Sequence, residues 1–153
     1  MAHPSNKLLV GVVSAALLAA ASMWEGEAYD PYWDLAGILT VCNGITGPEV
    51  IKGKRYTKQE CDYLLTKHLK VHREHVYRCT NVPLTPKQFD AFTLFTYNVG
   101  GNAYCTSSLL KKLNKGDYKG ACDGLLQWSY VKGKWVKGLN NRRKFEREMC
   151  LGN

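Results

Sequence analysis

A glutamate and an aspartate nine residues apart, Glu25 and Asp34, with Thr40 six residues further on, stand inside the run EGEAYDPYWDLAGILTVCNG. Two carboxylates and a hydroxyl are the parts of a site that hydrolyses a glycosidic bond. One protonated acid donates to the leaving oxygen, and an ionised partner handles water. Met23 and Trp24 are apolar neighbours of the kind that disfavour a charged carboxylate, which makes Glu25 the expected acid. Asp34, on a more polar turn, is the expected anion. The Thr40 hydroxyl both donates and accepts, as a group holding the attacking water must. A Glu and an Asp at this separation are ordinary surface residues in most chains, so the reading depends on the elements that carry them.

For the two carboxylates to face each other, Glu25 must close a first helix and Asp34 must lie at the start of a hairpin. From Glu25 to Gly53 the chain is rich in Gly, Pro, Asn and β-branched residues, with Ile38 to Cys42 followed by the turn dipeptide Asn43-Gly44. This predicts a small β-hairpin region. Thr57 and Glu60 form a capping box, and Leu64, Leu65, Leu69, Val76 and Tyr77 recur at near-helical spacing, which predicts a long helix from about Lys58 to Arg78. Thr85-Pro86-Lys87-Gln88 opens another helix bearing Phe89, Phe92, Phe95 and Val99 and ending near Gly100-Gly101. Ser107 or Ser108 starts a short helix through Leu113, Asp117 caps one through Trp128, Gly133 marks a turn, and Asn140 or Asn141 caps the last, to Cys150. A small β region followed by a run of helices is an α+β arrangement.

Ahead of Glu25, residues 8 to 24 (LLVGVVSAALLAAASMW) carry no charge and follow Lys7, the shape of an export signal. As a helix this segment reaches roughly 25 Å, short of the ~30 Å hydrocarbon core, and its alanines, Gly11, Ser14 and Ser22 keep it weakly hydrophobic. It can be cut before Met23, stay as an anchor, or insert and later leave the bilayer to become the first helix of the soluble enzyme. The third is favoured, because a catalytic group needs support on both sides. The expected organisation is an export or anchor segment at 1–24 and a catalytic domain at 25–153.

The formal charge of +8, from 21 Lys and Arg against 13 Asp and Glu, attracts polyanions. There is no zinc-finger spacing, no basic helix leading into heptads and no RNA-binding aromatic strand, so nucleic acid is not the expected partner. An anionic bacterial envelope fits. Six cysteines, at 42, 61, 79, 105, 122 and 150, all downstream of the apolar leader and without a CxxC pair, favour disulfides in an oxidising compartment. Fifteen pairings are open in principle; the pairing of sequence neighbours, 42–61, 79–105 and 122–150, is preferred because such neighbours tend to be close in space.

The chain resembles the phage lysozymes of glycoside hydrolase family 24, and within them the signal-arrest-release endolysins. The resemblance is carried by Glu25-Gly26, Pro31-Tyr32, D-x-x-G at 34–37 and T-V-C-x-G at 40–44. It continues through YTKQEC at 56–61, VPLTPKQFDAF at 82–92, YNVG at 97–100, CTSSLLKKLNKGD at 105–117 and GLNNRRKFEREMC at 138–150. It implies a two-lobed α+β fold, a hairpin region and a mostly helical lobe joined by the long helix, with the cleft between them. It implies an N-acetylmuramidase cleaving the β-1,4 bond between N-acetylmuramic acid and N-acetylglucosamine, with Glu25 as acid, Asp34 orienting or activating water, Thr40 assisting, and inversion at the anomeric carbon. It also implies sugar contacts at Thr46, Tyr97, Asn98 and Ser108. The N-terminus would be a reversible anchor, giving a monomer exported to the host inner membrane and then released to the periplasm.

One position departs from the pattern: Ile45 stands where the family usually has histidine. His68, His72 and His75 lie at helical spacing, but without an acidic partner or an HExxH pattern they read as a solvated helix face, and no metal or cofactor is expected. Trp128 and Trp135 are candidates for stacking on sugars or for core packing, and Arg142 and Arg143 for covering the last helix. The competing functional classes are a secreted wall-binding protein without catalysis and a lytic transglycosylase, which would release anhydro sugars.

Overall fold

The computed structural model describes residues 1–153, and the chain divides into two compact units, Val13–Leu69 and Met1–Val12 with Lys70–Asn153.

The first unit opens with helix α1, Ala15–Glu25, capped by Ser14, whose hydroxyl accepts from the Leu17 amide at 3.1 Å. Leu17, Ala20 and Ala21 are its buried positions. The apolar run 8–24 is therefore not one helix: a short 3-10 helix at Pro4–Leu8 and a turn precede α1. No helix of the structure is long and apolar enough to cross a membrane.

Strands β1, Ala28–Trp33, and β2, Leu39–Cys42, pair antiparallel with Tyr32 opposite Thr40 and Trp33 opposite Leu39. Asp34, expected at the start of the hairpin, lies on the turn that joins the two strands. Pro31 is tolerated within β1 because both strands of a two-stranded ribbon are edges, where a missing amide donor costs no ladder bond.

Helix α2, Lys58–Cys79, begins with the expected box: the Glu60 amide donates to Thr57 Oγ1 at 3.1 Å and the Thr57 amide to Glu60 Oε1 at 3.0 Å. Val41, Cys42, Ile45, Tyr56, Cys61 and Leu64 form the core of this unit, crossed by the Cys42–Cys61 disulfide.

The second unit holds α3, Pro86–Val99; α4, Gly101–Thr106; α5, Ser108–Asn114; α6, Tyr118–Gly124; β3, Tyr130–Val131; β4, Lys134–Trp135; and α7, Lys137–Cys150. Its core gathers Val76, Phe89, Phe92, Phe95, Tyr104, Leu109, Leu113 and Leu125. The disulfides Cys79–Cys105 and Cys122–Cys150 complete the pairing of sequence neighbours. Residues 1–12 belong to this unit through buried polar bonds. Asn6 donates to Val82 O and accepts from the Leu84 amide, and the buried Arg73 guanidinium donates to Leu9 O at 2.7 Å and to Asp90 at 2.8 Å.

Three elements differ from expectation. The single turn-and-a-half of α4 has no periodic signature of its own. The helix capped by Asp117 tightens into a 3-10 turn, Leu125–Gln127, before Trp128. The last helix starts at Lys137 and not at Asn140 or Asn141, because β4 feeds straight into it through Val136. The Asn140 side chain is used elsewhere, donating to Ser129 Oγ at 3.2 Å.

Candidate active site

The helix that carries Glu25 ends at Gly26 with φ 70°, a left-handed turn that glycine takes without strain. The Gly26 carbonyl accepts from Nδ2 of the buried Asn43 at 2.6 Å, so the residue after the acid is tied to the end of β2. There the chain turns tightly: Val41 and Ile45 exchange both backbone bonds, at 2.9 and 2.8 Å. Gly44, at φ 76°, closes the turn, and a Cβ there would lie 3.5 Å from Glu25 Oε2. The positive φ is what favours glycine at 44, and Glu25 is half-buried.

Thr40 sits two residues from this turn and is 4% exposed. Its hydroxyl donates to the Ile38 carbonyl at 2.9 Å, which commits its proton and leaves its lone pairs to accept. Asp34 Oδ1 accepts from the amides of Ala36 and Ile38 at 2.9 and 2.8 Å. One carboxylate oxygen thus shapes the hairpin turn and leaves Oδ2 for chemistry. The two roles separate by substitution. Asp34→Asn keeps an Oδ1 acceptor and is expected to hold stability within about 0.5 kcal/mol while lowering turnover about a hundredfold. Asp34→Ala is expected to lose about 1–2 kcal/mol as well. Thermal melts beside cell-clearing rates check both; equal melting of the two variants would refute the structural half.

Of the residues assigned to sugar, Thr46 is exposed just beyond Ile45. The other three belong to the helical unit. Tyr97 is half-buried with its ring edge-on to His72 at 5.3 Å. The Asn98 side-chain carbonyl accepts from the Arg143 guanidinium. Ser108 is the exposed first residue of α5, while Ser107 is the cap, accepting from the Leu110 amide at 3.1 Å. Trp128 packs edge-on against Phe95 at 5.2 Å, a core role, whereas Trp135 is exposed. His68 Nε2 lies 2.8 Å from Glu49, whose carboxyl is held below its ordinary range first by Lys67 and then by His68.

Two groups of residues escaped the sequence reading. Asn43 and Gly44 were visible only as a turn dipeptide, and nothing local marks that the turn abuts Glu25. Arg142 and Arg143 are expected to cover the last helix, yet both are buried and ion-paired with Glu146, which the sequence did not single out. Both guanidiniums lie one helical turn or less from the acid, and that spacing was the available signal.

A family model for phage lysozyme matches residues 22–146. The chain belongs to the phage lysozyme family. The match begins just ahead of Glu25, takes in the hairpin and helices α2 to α6, and ends within α7. Among relatives, the SAR-endolysin of Enterobacteria phage PA-2 is 46% identical over 127 residues, 83% of this chain and 77% of that protein. Among solved structures, the endolysin from Escherichia coli O157:H7 phage FAHEc1 has a TM-score of 0.82 at 31% identity, covering 92% of this chain and 93% of that one. The active form of the P1 phage endolysin Lyz gives a TM-score of 0.80 at 25% identity over 99% of this chain and 96% of its own. The secreted inactive form of the same endolysin gives only 0.54 at 23% identity, over 87% and 94%. The expected α+β lysozyme-like fold is the observed one.

Proposed function

We propose that this phage lysozyme is a peptidoglycan hydrolase for host lysis, an N-acetylmuramidase that cleaves the β-1,4 bond between N-acetylmuramic acid and N-acetylglucosamine. The observation that carries the reading is the placement of the Glu25 carboxylate against Gly44, on a hairpin whose joining turn bears Asp34 and whose second strand bears Thr40. Glu25 donates the proton to the leaving oxygen. Asp34 Oδ2 orients water and Thr40 accepts from it, so that water attacks the face opposite the leaving group and the configuration inverts. Digestion of purified sacculi is expected to give reducing-end N-acetylmuramic acid with the α-anomer first, read by NMR before mutarotation. A β-anomer appearing first would reject inversion, and 1,6-anhydro ends would reject hydrolysis.

Residues 8–24 act, in this reading, as a releasable anchor. The protein is exported with the segment in the inner membrane and works as a monomer in the periplasm after release. The names of the SAR-endolysin relatives and the greater likeness to the active form of P1 Lyz support this. A physical argument does so too: a helix held in lipid cannot set Glu25 against the hairpin. Depolarising the membrane is then expected to liberate protein retaining the original N-terminus, as read by N-terminal sequencing. Recovery of a chain starting near Met23 would show cleavage by signal peptidase instead.

A further inference from the structure

The ribbon β3–β4 exposes aromatic surface that the core of its unit does not use. Tyr130 pairs with Trp135 across the strands and Val131 with Lys134, so the two rings share one face and Val131 and Lys134 the other. Tyr130 is 56% exposed, Trp135 54% and Val131 51%. Between the strands Lys132 and Gly133 both have positive φ, 50° and 79°, the two-residue turn that closes a hairpin without splaying its strands. So short a ribbon does not stand by itself. It is held at its base, where the Val136 amide donates to Ser129 O at 2.8 Å and the buried Ser129 hydroxyl donates to Leu126 O at 2.8 Å.

Single exposed apolar residues are ordinary on any protein. Several contiguous ones on a projecting ribbon are the mark of an interaction surface. The charge along this stretch of chain has a single sign: Lys132, Lys134 and Lys137 are exposed, and no Asp or Glu occurs between Gly124 and Phe145. The partner is therefore anionic. A sugar polymer is held by amide and carboxylate side chains that accept from its hydroxyls, and residues 130–136 (YVKGKWV) contain none. Trp and Tyr beside Lys are instead the combination that settles at a membrane interface, with the rings at headgroup depth and the ammonium groups toward phosphate.

We propose that the β3–β4 ribbon docks on the surface of an anionic phospholipid bilayer through Tyr130, Trp135, Lys132 and Lys134. This lies beyond glycan hydrolysis and does not depend on it. Docking would concentrate a released enzyme in the thin layer next to the membrane.

Partitioning of the full chain onto sedimented vesicles of phosphatidylglycerol with phosphatidylcholine, against phosphatidylcholine alone, tests it. Binding is expected to favour the anionic vesicles. It should fall about tenfold for Trp135→Ala and about fivefold for each of Lys132→Asn and Lys134→Gln; asparagine is chosen at 132 because it tolerates positive φ. For Lys132→Asn and Lys134→Gln, clearing of permeabilised cells and the melting temperature should stay at parental values. As a readout independent of truncation, brominated lipid is expected to quench the parent's tryptophan emission more than that of Trp135→Phe. Variants that bind vesicles like the parent, with equal quenching, would place any lipid contact elsewhere in the chain and overturn the proposal. Loss of sacculus binding with vesicle binding intact would overturn it in favour of a carbohydrate contact.

Discussion

Replacing Glu25 by glutamine is expected to lower the clearing of permeabilised cells by about 10³- to 10⁴-fold, the full contribution of a positioned general acid. The substitution is isosteric, which matters because Glu25 is half-buried and a larger or smaller side chain would confound the result with repacking. A carboxamide fills the same space but has no proton of suitable acidity for the leaving oxygen. Helix α1, its left-handed end at Gly26 and the Asn43 bond to the Gly26 carbonyl involve only the main chain of this stretch, so the variant is expected to fold. Its circular dichroism and melting curve serve as the control. Turbidity loss at matched concentrations gives the answer: equal clearing by parent and variant would reject catalysis and leave a wall-binding protein.

Why the end of α1 at Glu25 was legible and the residues packed around it were not follows from the range of each signal. The end of α1, the capping boxes at Thr57 and Thr85, and the helix that opens at Ser107 depend on residues within a turn of one another, and such signals survive in one dimension. The disulfide pairing of sequence neighbours is the expected one, since each bridge joins cysteines only 19 to 28 residues apart. Strand β1 falls inside the expected β region, but no local signal marks its bounds, and the last helix starts earlier than expected because two asparagines look like caps. In the structure one of them, Asn140, bonds Ser129 across the base of a ribbon, a partner that sequence distance conceals. Ile45 shows the same limit. The family pattern raised the question of a missing histidine, but only the fold reveals that the position lies in the apolar cluster with Val41, Tyr56 and Leu64, where isoleucine is at home.

Deleting a single buried anion should produce the largest loss of stability. Glu146 and Arg143 are both 0% exposed, with Oε1 and Nη1 3.1 Å apart, and Glu146 Oε2 also lies 3.4 Å from Nε of the buried Arg142. One carboxylate therefore stands between two guanidiniums. Arg143 further donates to Asn98 and lies over the Phe95 ring, 5.0 Å from its centroid. Glu146→Ala takes away the charge that makes burial of the two cations tolerable, and breaking such a pair from one side costs about 3–5 kcal/mol. In a chain of this size the melting temperature is then expected to drop on the order of 10 °C. Glu146→Gln, which keeps an acceptor without the charge, should fall between parent and alanine. The double change Arg143→Met with Glu146→Leu should recover part of the loss, because apolar replacement of a buried pair avoids the desolvation of both ions. A melt of Glu146→Ala within a degree or two of the parent would remove the electrostatic account. The same cluster bears on function within the helical unit, since Asn98 takes its orientation from Arg143. If Asn98 contacts the glycan as proposed, Glu146→Gln should raise KM for soluble peptidoglycan fragments more than it lowers kcat, because it loosens a binding contact and leaves the acid untouched.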